Sequence, residues 1–306
     1  MGMNDSELVV NCTLCPRHCG VPRGEGFCGA QVGLEVAAVC MHRGEEPPLN
    51  PIVNVFFAHC NLQCIYCQNR QISGRTGCAE WNVESVDALA DWIASQLSTL
   101  NSQLSTPLLG LVTAAHYIYA VPGIIDAVRQ RGFTPTVVYN SSGYEDAEAL
   151  RSLEGLVDIY LPDMKYMDPD LAGRYSHAPD YPEVAAAAIA EMKRQVGSGL
   201  KMDDDGIAYR GLLVRHLVLP GHVDNSLRCL DSLDRLGVRN LSLMAQYYPP
   251  VESLPAPLDR TVTADEYAQV TEYAESLDFS NIWTQELTAQ CNYRPDFTNK
   301  DNPFGK

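Results

Sequence analysis

No apolar run approaches the roughly eighteen residues that a membrane-crossing helix needs, so none is expected in this chain of 306 residues. Positive charge is also scarce. Lys and Arg number 22 against 38 Asp and Glu, for a formal net charge of −16. A broad basic surface is excluded, which disfavours nonspecific nucleic-acid binding and attachment to an anionic membrane. The opening stretch Met1-Gly2-Met3-Asn4-Asp5-Ser6-Glu7 is polar and acidic, with neither a basic nor a long apolar leader segment. A secretory signal is therefore not expected, and a cytoplasmic location is. In that compartment the 11 cysteines read as thiolates for metal rather than as disulfides.

Three of them define the chain's most informative feature. Cys60, Cys64 and Cys67 form a C-x3-C-x2-C run directly after the apolar stretch Val53–Phe57. Three thiolates suit three irons of a cubane [4Fe–4S] cluster and leave the fourth iron open to a small molecule. A closed zinc site or an electron-transfer cluster wants four ligands. Two other readings remain at this point: a zinc loop completed by His59 or a distant residue, and part of a closed ferredoxin-like cluster.

A second group is Cys12, Cys15, Cys19 and Cys28, with glycines between the last two. Four soft ligands in a short, Gly-rich segment suit a second metal, either zinc or an auxiliary iron–sulfur cluster. His18 reads as a surface residue. The isolated Cys40, Cys78, Cys229 and Cys291 read as small core hydrophobes.

From residue 50 the pattern alternates. Strands are expected at Val53–Phe57, Leu108–Thr113, Thr136–Tyr139, Val157–Leu161, Leu212–Leu219 and Asn240–Ala245. Helices are expected at Val83–Leu97, Val121–Arg131, Glu145–Leu153, Pro182–Val196, Asn225–Leu236 and Ala264–Leu277, the last opened by a Thr263/Glu266 capping box. Six strands alternating with helices argue a parallel α/β sheet, closer to an incomplete barrel than to a closed eight-stranded one. Three stretches are expected: a Cys-rich segment at 1–50, a barrel core at 51–250 and a helical extension at 251–306. The pentapeptide Ser95–Thr99 recurs as Ser102–Thr106 and reads as a surface insertion.

These motifs, with Cys15-Pro16-Arg17-His18-Cys19, Glu45-Glu46-Pro47-Pro48, Cys67-Gln68-Asn69, Tyr139–Tyr144, Asp158–Tyr166, Leu213–Gly221 and Met244–Tyr247, span nearly the whole chain. Together they resemble the radical S-adenosylmethionine (SAM) superfamily, in its pyruvate formate-lyase activating enzyme-like branch. The resemblance implies a partial (β/α)6 TIM-like barrel. It also implies a [4Fe–4S] cluster on Cys60, Cys64 and Cys67, whose open iron chelates SAM. Reductive cleavage then gives methionine and a 5′-deoxyadenosyl radical, which abstracts a hydrogen atom. An oxygen-labile cluster of this kind implies a reducing, anaerobic setting.

The same resemblance places Lys165 at the SAM carboxylate and has Asp163 support a bound monovalent cation. Asn140 and Ser141 fall where the family has an acidic residue and a hydroxyl, so Asn140 removes one negative charge. The resemblance also suggests a SAM or substrate contact near Arg215 and His216, with Arg215 expected to point into the barrel and His216 away, since neighbours on a strand face opposite ways. His116 and His216 read equally as structural or catalytic. Glu45 and Glu46 read as solvated charges or as residues of the substrate side. Leu111–Ala115 replaces the Gly-Gly-Glu-like element that receives the SAM amino group. Implied partners are SAM, an electron donor such as flavodoxin or ferredoxin, and a glycyl-radical protein. Two alternatives stand beside this: a radical SAM enzyme acting on a small molecule or another peptide, and a noncatalytic iron–sulfur or zinc carrier or scaffold.

Overall fold

A computed structural model of the protein describes residues 11–75, 82–100, 104, 106–292, 294–299 and 302–305. Met1–Glu7, Cys78 and most of the second pentapeptide copy lie outside the described residues. Strands β1 (Leu34–His42), β2 (Ile52–Phe57), β3 (Asn82–Val83), β4 (Leu108–Val112), β5 (Thr136–Ser141) and β6 (Ile159–Pro162) are followed by β7 (Leu200–Met202), β8 (Ala208–Leu212), β9 (Val214–Leu217), β10 (Asn240–Met244) and β11 (Asn281–Thr284). The helices are α1 (Arg70–Ser73), α2 (Val86–Leu100), α3 (Val121–Gln130), α4 (Ala147–Leu150), α5 (Pro169–Ser176), α6 (Tyr181–Val196), α7 (Val223–Arg235) and α8 (Ala264–Glu275).

The sheet runs β3-β1-β2-β4-β5-β6-β8-β7, and a second runs β11-β10-β9. A parallel bridge between Asp163 and Arg215 joins the two, with the Met164 N–H donating to the Arg215 carbonyl at 2.8 Å. Strands β8 and β9 are thus one course broken at Leu213. The lower part pairs with β6 and the antiparallel β7, the upper part with β10. The six expected strands lie side by side and parallel, as a partial TIM-like barrel. Strand β11 adds a seventh parallel member on β10, and β1 adds an antiparallel one on β2.

Four features differ from expectation. The stretch 1–50 is not only a Cys-rich segment, because β1 belongs to the sheet. The stretch 251–306 is not only helical, because β11 extends the barrel. The first pentapeptide copy continues α2, burying Leu97, so it is helix rather than insertion. Cys40 and Cys229 are buried as expected, but Cys291 is exposed. The capping box forms as read, with Thr263 accepting from the Glu266 N–H. Among the described residues no helix is long and apolar enough to cross a membrane.

Strand alternation divides the barrel interior into layers. Ile52, Leu108, Val138, Ile159, Leu161 and Leu213 share one face parity and meet in one buried cluster with Leu49 and Ala208. This apolar plug fills the end where the strands begin. Two residues further along come Asn54 and Gly110, then Phe56 and Val112, Asn140, Asp163 and Arg215, where side chains turn polar and charged. Phe297 and Phe304, near the C-terminus, lie 5.4 and 5.5 Å from Phe56, so the C-terminal segment lies at the barrel's open side.

One small residue makes the change of layer possible. Gly110 sits beside Asn54 in register, and a Cβ there would meet Asn54 Oδ1 at 1.9 Å. Asn54 in turn donates to Glu45 at 2.8 Å. Gly110→Ala is predicted to cost about 1–3 kcal/mol by overpacking, read as a lower denaturation midpoint. An unchanged midpoint would show that Asn54 has room to move.

Candidate active site

All parallel strands deliver their C-terminal ends to one cavity of about 500 Å³. Strand β2 runs into the loop with Cys60, Cys64 and Cys67, and all three thiols line that cavity. The loop is tightly wound: His59 and Gln63 stand at φ +68° and +56°, unusual for residues other than glycine. It is held from several sides. Arg17 Nε donates to the Asn61 carbonyl at 2.8 Å, and Asn61 Nδ2 to the Tyr144 carbonyl at 2.8 Å. Gln68 Nε2 donates to the Gln246 carbonyl at 2.9 Å, and Gln285 Nε2 to Gln246 Oε1 at 2.9 Å. This chain of amides ties the loop to the ends of β10 and β11.

Each thiol also meets a donor. The Leu62 N–H faces Cys60 Sγ at 3.4 Å, Ser176 Oγ faces Cys64 Sγ at 2.9 Å, and Ser73 Oγ faces Cys67 Sγ at 3.4 Å. Behind Ser176 the hydroxyls of Tyr166 and Tyr66 continue the chain at 2.8 and 2.5 Å. Burial pushes Cys60 and Cys64 up to about 11, and it raises Cys67 too. Metal binding at these sulfurs must therefore release protons. Among the described residues no three Cys, His, Asp or Glu side chains converge as a single-ion site. The three thiols line one cavity. His59 does not complete a zinc site here. Its Nε2 lies 3.0 Å from Glu35 and its Nδ1 2.8 Å from the Gly74 carbonyl.

Asn140, Asp163, Lys165 and Arg215 line the same cavity. Lys165 Nζ bonds Asp163 at 2.5 Å. Burial works against its ammonium, but Asp163 and the nearby thiols outweigh it and raise the pKa. Ser141 borders the cavity, yet its hydroxyl donates to Glu145 at 2.6 Å. Thr113, at the end of β4, also lines the cavity and is held at φ +61°, an outlier for a β-branched residue.

Arg215 points inward as expected and His216 away, bonded to the Met164 carbonyl and to Ser226. His116 is bonded to the Ala58 carbonyl at 2.7 Å. Burial lowers the two imidazoles to about 4 and about 3, so both are neutral structural groups. Glu45 and Glu46 are corrected from solvated charges. Both are largely buried, bonded to Arg215 and lining the cavity. Burial opposes the Glu45 carboxylate and the Arg215 guanidinium alike, and each keeps the other charged. Sequence reading missed this clamp because an acidic pair reads as a solvated face. It also missed Ser176, which has no motif of its own.

No family model matches the chain. The uncharacterized protein MJ0674 of Methanocaldococcus jannaschii is 26% identical over 291 residues, which cover 90% of this chain and 78% of that protein. A second protein of the same organism, the uncharacterized protein MJ0808, is 31% identical over 81 residues, 21% of this chain and 24% of its own length. Among solved structures, native anSMEcpe with bound AdoMet superposes with a TM-score of 0.51 at 8% identity, covering 72% of this chain and 57% of that one. Its histidine-tagged form with bound AdoMet gives 0.50 at 9% identity, covering 72% and 55%. The fold is that of the radical SAM enzymes. This chain spans just over half the length of the anSMEcpe chain. Within this radical SAM fold the strand ends form the rim on which the cavity opens.

Glu145 gives a pH test of the wall behind Asn140. Burial raises its carboxyl to about 7 from the ordinary 4.5, against the bonds from Ser141 and Tyr139. The folded state thus binds a proton that the unfolded state releases, and stability falls as pH rises from about 4.5 through 7. Glu145→Gln removes that loss. The stability of wild type relative to the variant is predicted to drop by roughly 3 kcal/mol between pH 4 and 8, measured by urea unfolding. A difference that does not change with pH would contradict this.

Proposed function

We propose that the chain is a radical SAM enzyme, with Cys60, Cys64 and Cys67 as ligands of a [4Fe–4S] cluster. The observation that carries this reading is the placement of three buried or half-buried thiols on one large cavity that a nearby Lys–Asp pair also lines. The donor set fits the group: soft sulfurs, each already facing a hydrogen-bond donor, with no fourth ligand from His59. Bound together there, the cluster and SAM would supply a 5′-deoxyadenosyl radical through one-electron cleavage of the sulfonium.

The chain's own groups bind and orient. Lys165 presents a compact cation to the SAM carboxylate, and Asp163 fixes its direction at 2.5 Å. Asn140 supplies neutral hydrogen bonding on the neighbouring strand end. The strained turn at Val112 and Thr113 is the seat we assign to the SAM amino group, in place of the Gly-Gly-Glu-like element. Tyr66, Phe56 and Met244 give the cavity apolar walls that keep water from a reactive radical. A reduced flavodoxin or ferredoxin is the matching class of electron donor.

For the hydrogen donor, the sequence resemblance supports a glycine of a partner glycyl-radical protein. A second reading has a specific observation behind it. The cavity lining also carries Glu45, Glu46, Arg215 and His42, polar and charged groups suited to a small polar molecule.

The test is anaerobic. Iron-loaded, reduced protein given SAM is predicted to form 5′-deoxyadenosine, and Cys60→Ala, Cys64→Ala and Cys67→Ala each to abolish it. Lys165→Ala is predicted to weaken SAM binding at least about tenfold, the scale of one charge-assisted contact. No 5′-deoxyadenosine from a protein with an intact, reducible cluster would favour the carrier reading. Unchanged SAM affinity would remove Lys165 from the site.

A further inference from the structure

Arg17 stands between Cys15 and Cys19 of the N-terminal group, yet its side chain reaches across to the thiol loop. Its Nε donates to the carbonyl of Asn61, next to Cys60, at 2.8 Å. Its Nη2 donates to the Ser176 carbonyl at 3.2 Å, and its Nη1 to the His177 carbonyl. The guanidinium lies over the Phe27 ring at 3.9 Å and over the Tyr144 ring at 5.0 Å, within the range at which aromatic faces attract a cation.

Two of the three acceptors end a helix. The last carbonyls of an α-helix have no partner within it, and a cation there also meets the negative end of the helix dipole. At the end of α5 these carbonyls are taken from outside. The Ile65 N–H donates to the Tyr175 carbonyl at 2.9 Å, and Arg17 takes those of Ser176 and His177. His177 itself is left-handed, at φ +55°. The end of α5 is therefore placed by the thiol loop and by Arg17 together.

What α5 places there is Ser176, whose Oγ donates to Cys64 Sγ at 2.9 Å. A serine hydroxyl has one proton to give. With that proton on the sulfur, Tyr166 donates to Ser176 and Tyr66 to Tyr166. The whole chain then points at one sulfur, and each bond polarises the next. Donors to a cluster sulfur stabilise the more negative, reduced state and so raise the reduction potential.

We propose that Arg17 is a positioning residue. By fixing the end of α5 it holds Ser176 on Cys64, and through that bond it raises the potential of the cluster on Cys60, Cys64 and Cys67. The proposal rests on the reading of those three thiols as cluster ligands. Lysine does not replace Arg17, because a compact ammonium lacks the rigid fork that spans Asn61 and the end of α5.

The test is redox titration of the anaerobically reconstituted full chain. It follows the electron paramagnetic resonance signal that a Cys60→Ala/Cys64→Ala/Cys67→Ala variant lacks. Arg17→Lys keeps the charge and is expected to lower the midpoint potential, as is Ser176→Ala. Because Arg17 acts through Ser176, the double variant is expected to fall no further than Ser176→Ala alone. Should Arg17→Lys not fold, Phe27→Leu removes the ring beneath the guanidinium without changing charge, and is expected to move the potential the same way by less. A potential that these substitutions leave unmoved would overturn the proposal. So would a full Ser176→Ala shift persisting in the Arg17→Lys background. Either result would leave the cluster reading standing. A wild type with no reducible iron–sulfur signal dependent on Cys60, Cys64 and Cys67 would overturn both.

Discussion

A guanidinium inside a barrel is the constraint on which the rest of this structure turns. Arg215 sits where the apolar plug gives way to the cavity, and burial there is tolerable only with carboxylates in contact. Glu45 and Glu46 come from the segment between β1 and β2, on the far side of the barrel. Asn54 steers Glu45, and Gly110 leaves the space for Asn54. One charge therefore couples four segments and keeps polar the region that hydrophobic collapse would otherwise fill. Removing Arg215 would strand two buried carboxylates, a cost of about 3–5 kcal/mol.

The thiols that line the same cavity depend on a different kind of support. Their loop adopts left-handed turns at His59 and Gln63, which the surrounding bonds must hold in place. Those bonds come from the N-terminal cysteine segment, from the Tyr144 carbonyl beyond β5, from α5 through Ser176, and from Gln246 and Gln285 beyond β10 and β11. Hydroxyl and amide donors at the sulfurs would tune an iron–sulfur centre held there as well as position it. The Tyr66–Tyr166–Ser176 chain ends on the Cys64 sulfur and would belong to the electronic environment of such a centre.

Much of this was legible in the sequence for a physical reason. The central strands β2, β4, β5, β6 and β10 are buried on both faces, so they read as short apolar runs between turn signals. The thiol loop was legible because its ligands are local. Strands β1 and β11 were not legible, since each becomes a strand through pairing with an already formed neighbour. The Glu45–Glu46–Arg215 clamp was illegible for a related reason. Its members are about 170 residues apart, and charged residues are ordinarily solvated. Ser141 shows the converse: its position on the strand end was right, but Glu145 takes its hydroxyl.

The central claim is that SAM binds directly to iron held by Cys60, Cys64 and Cys67. Electron–nuclear double resonance of the reduced, iron-loaded protein tests this most directly, using SAM isotope-labelled at its amino nitrogen and carboxylate oxygens. Direct chelation predicts hyperfine coupling from both labels, absent from the Cys60→Ala protein. A cluster spectrum that SAM leaves unchanged, with no coupling from either label, would contradict it.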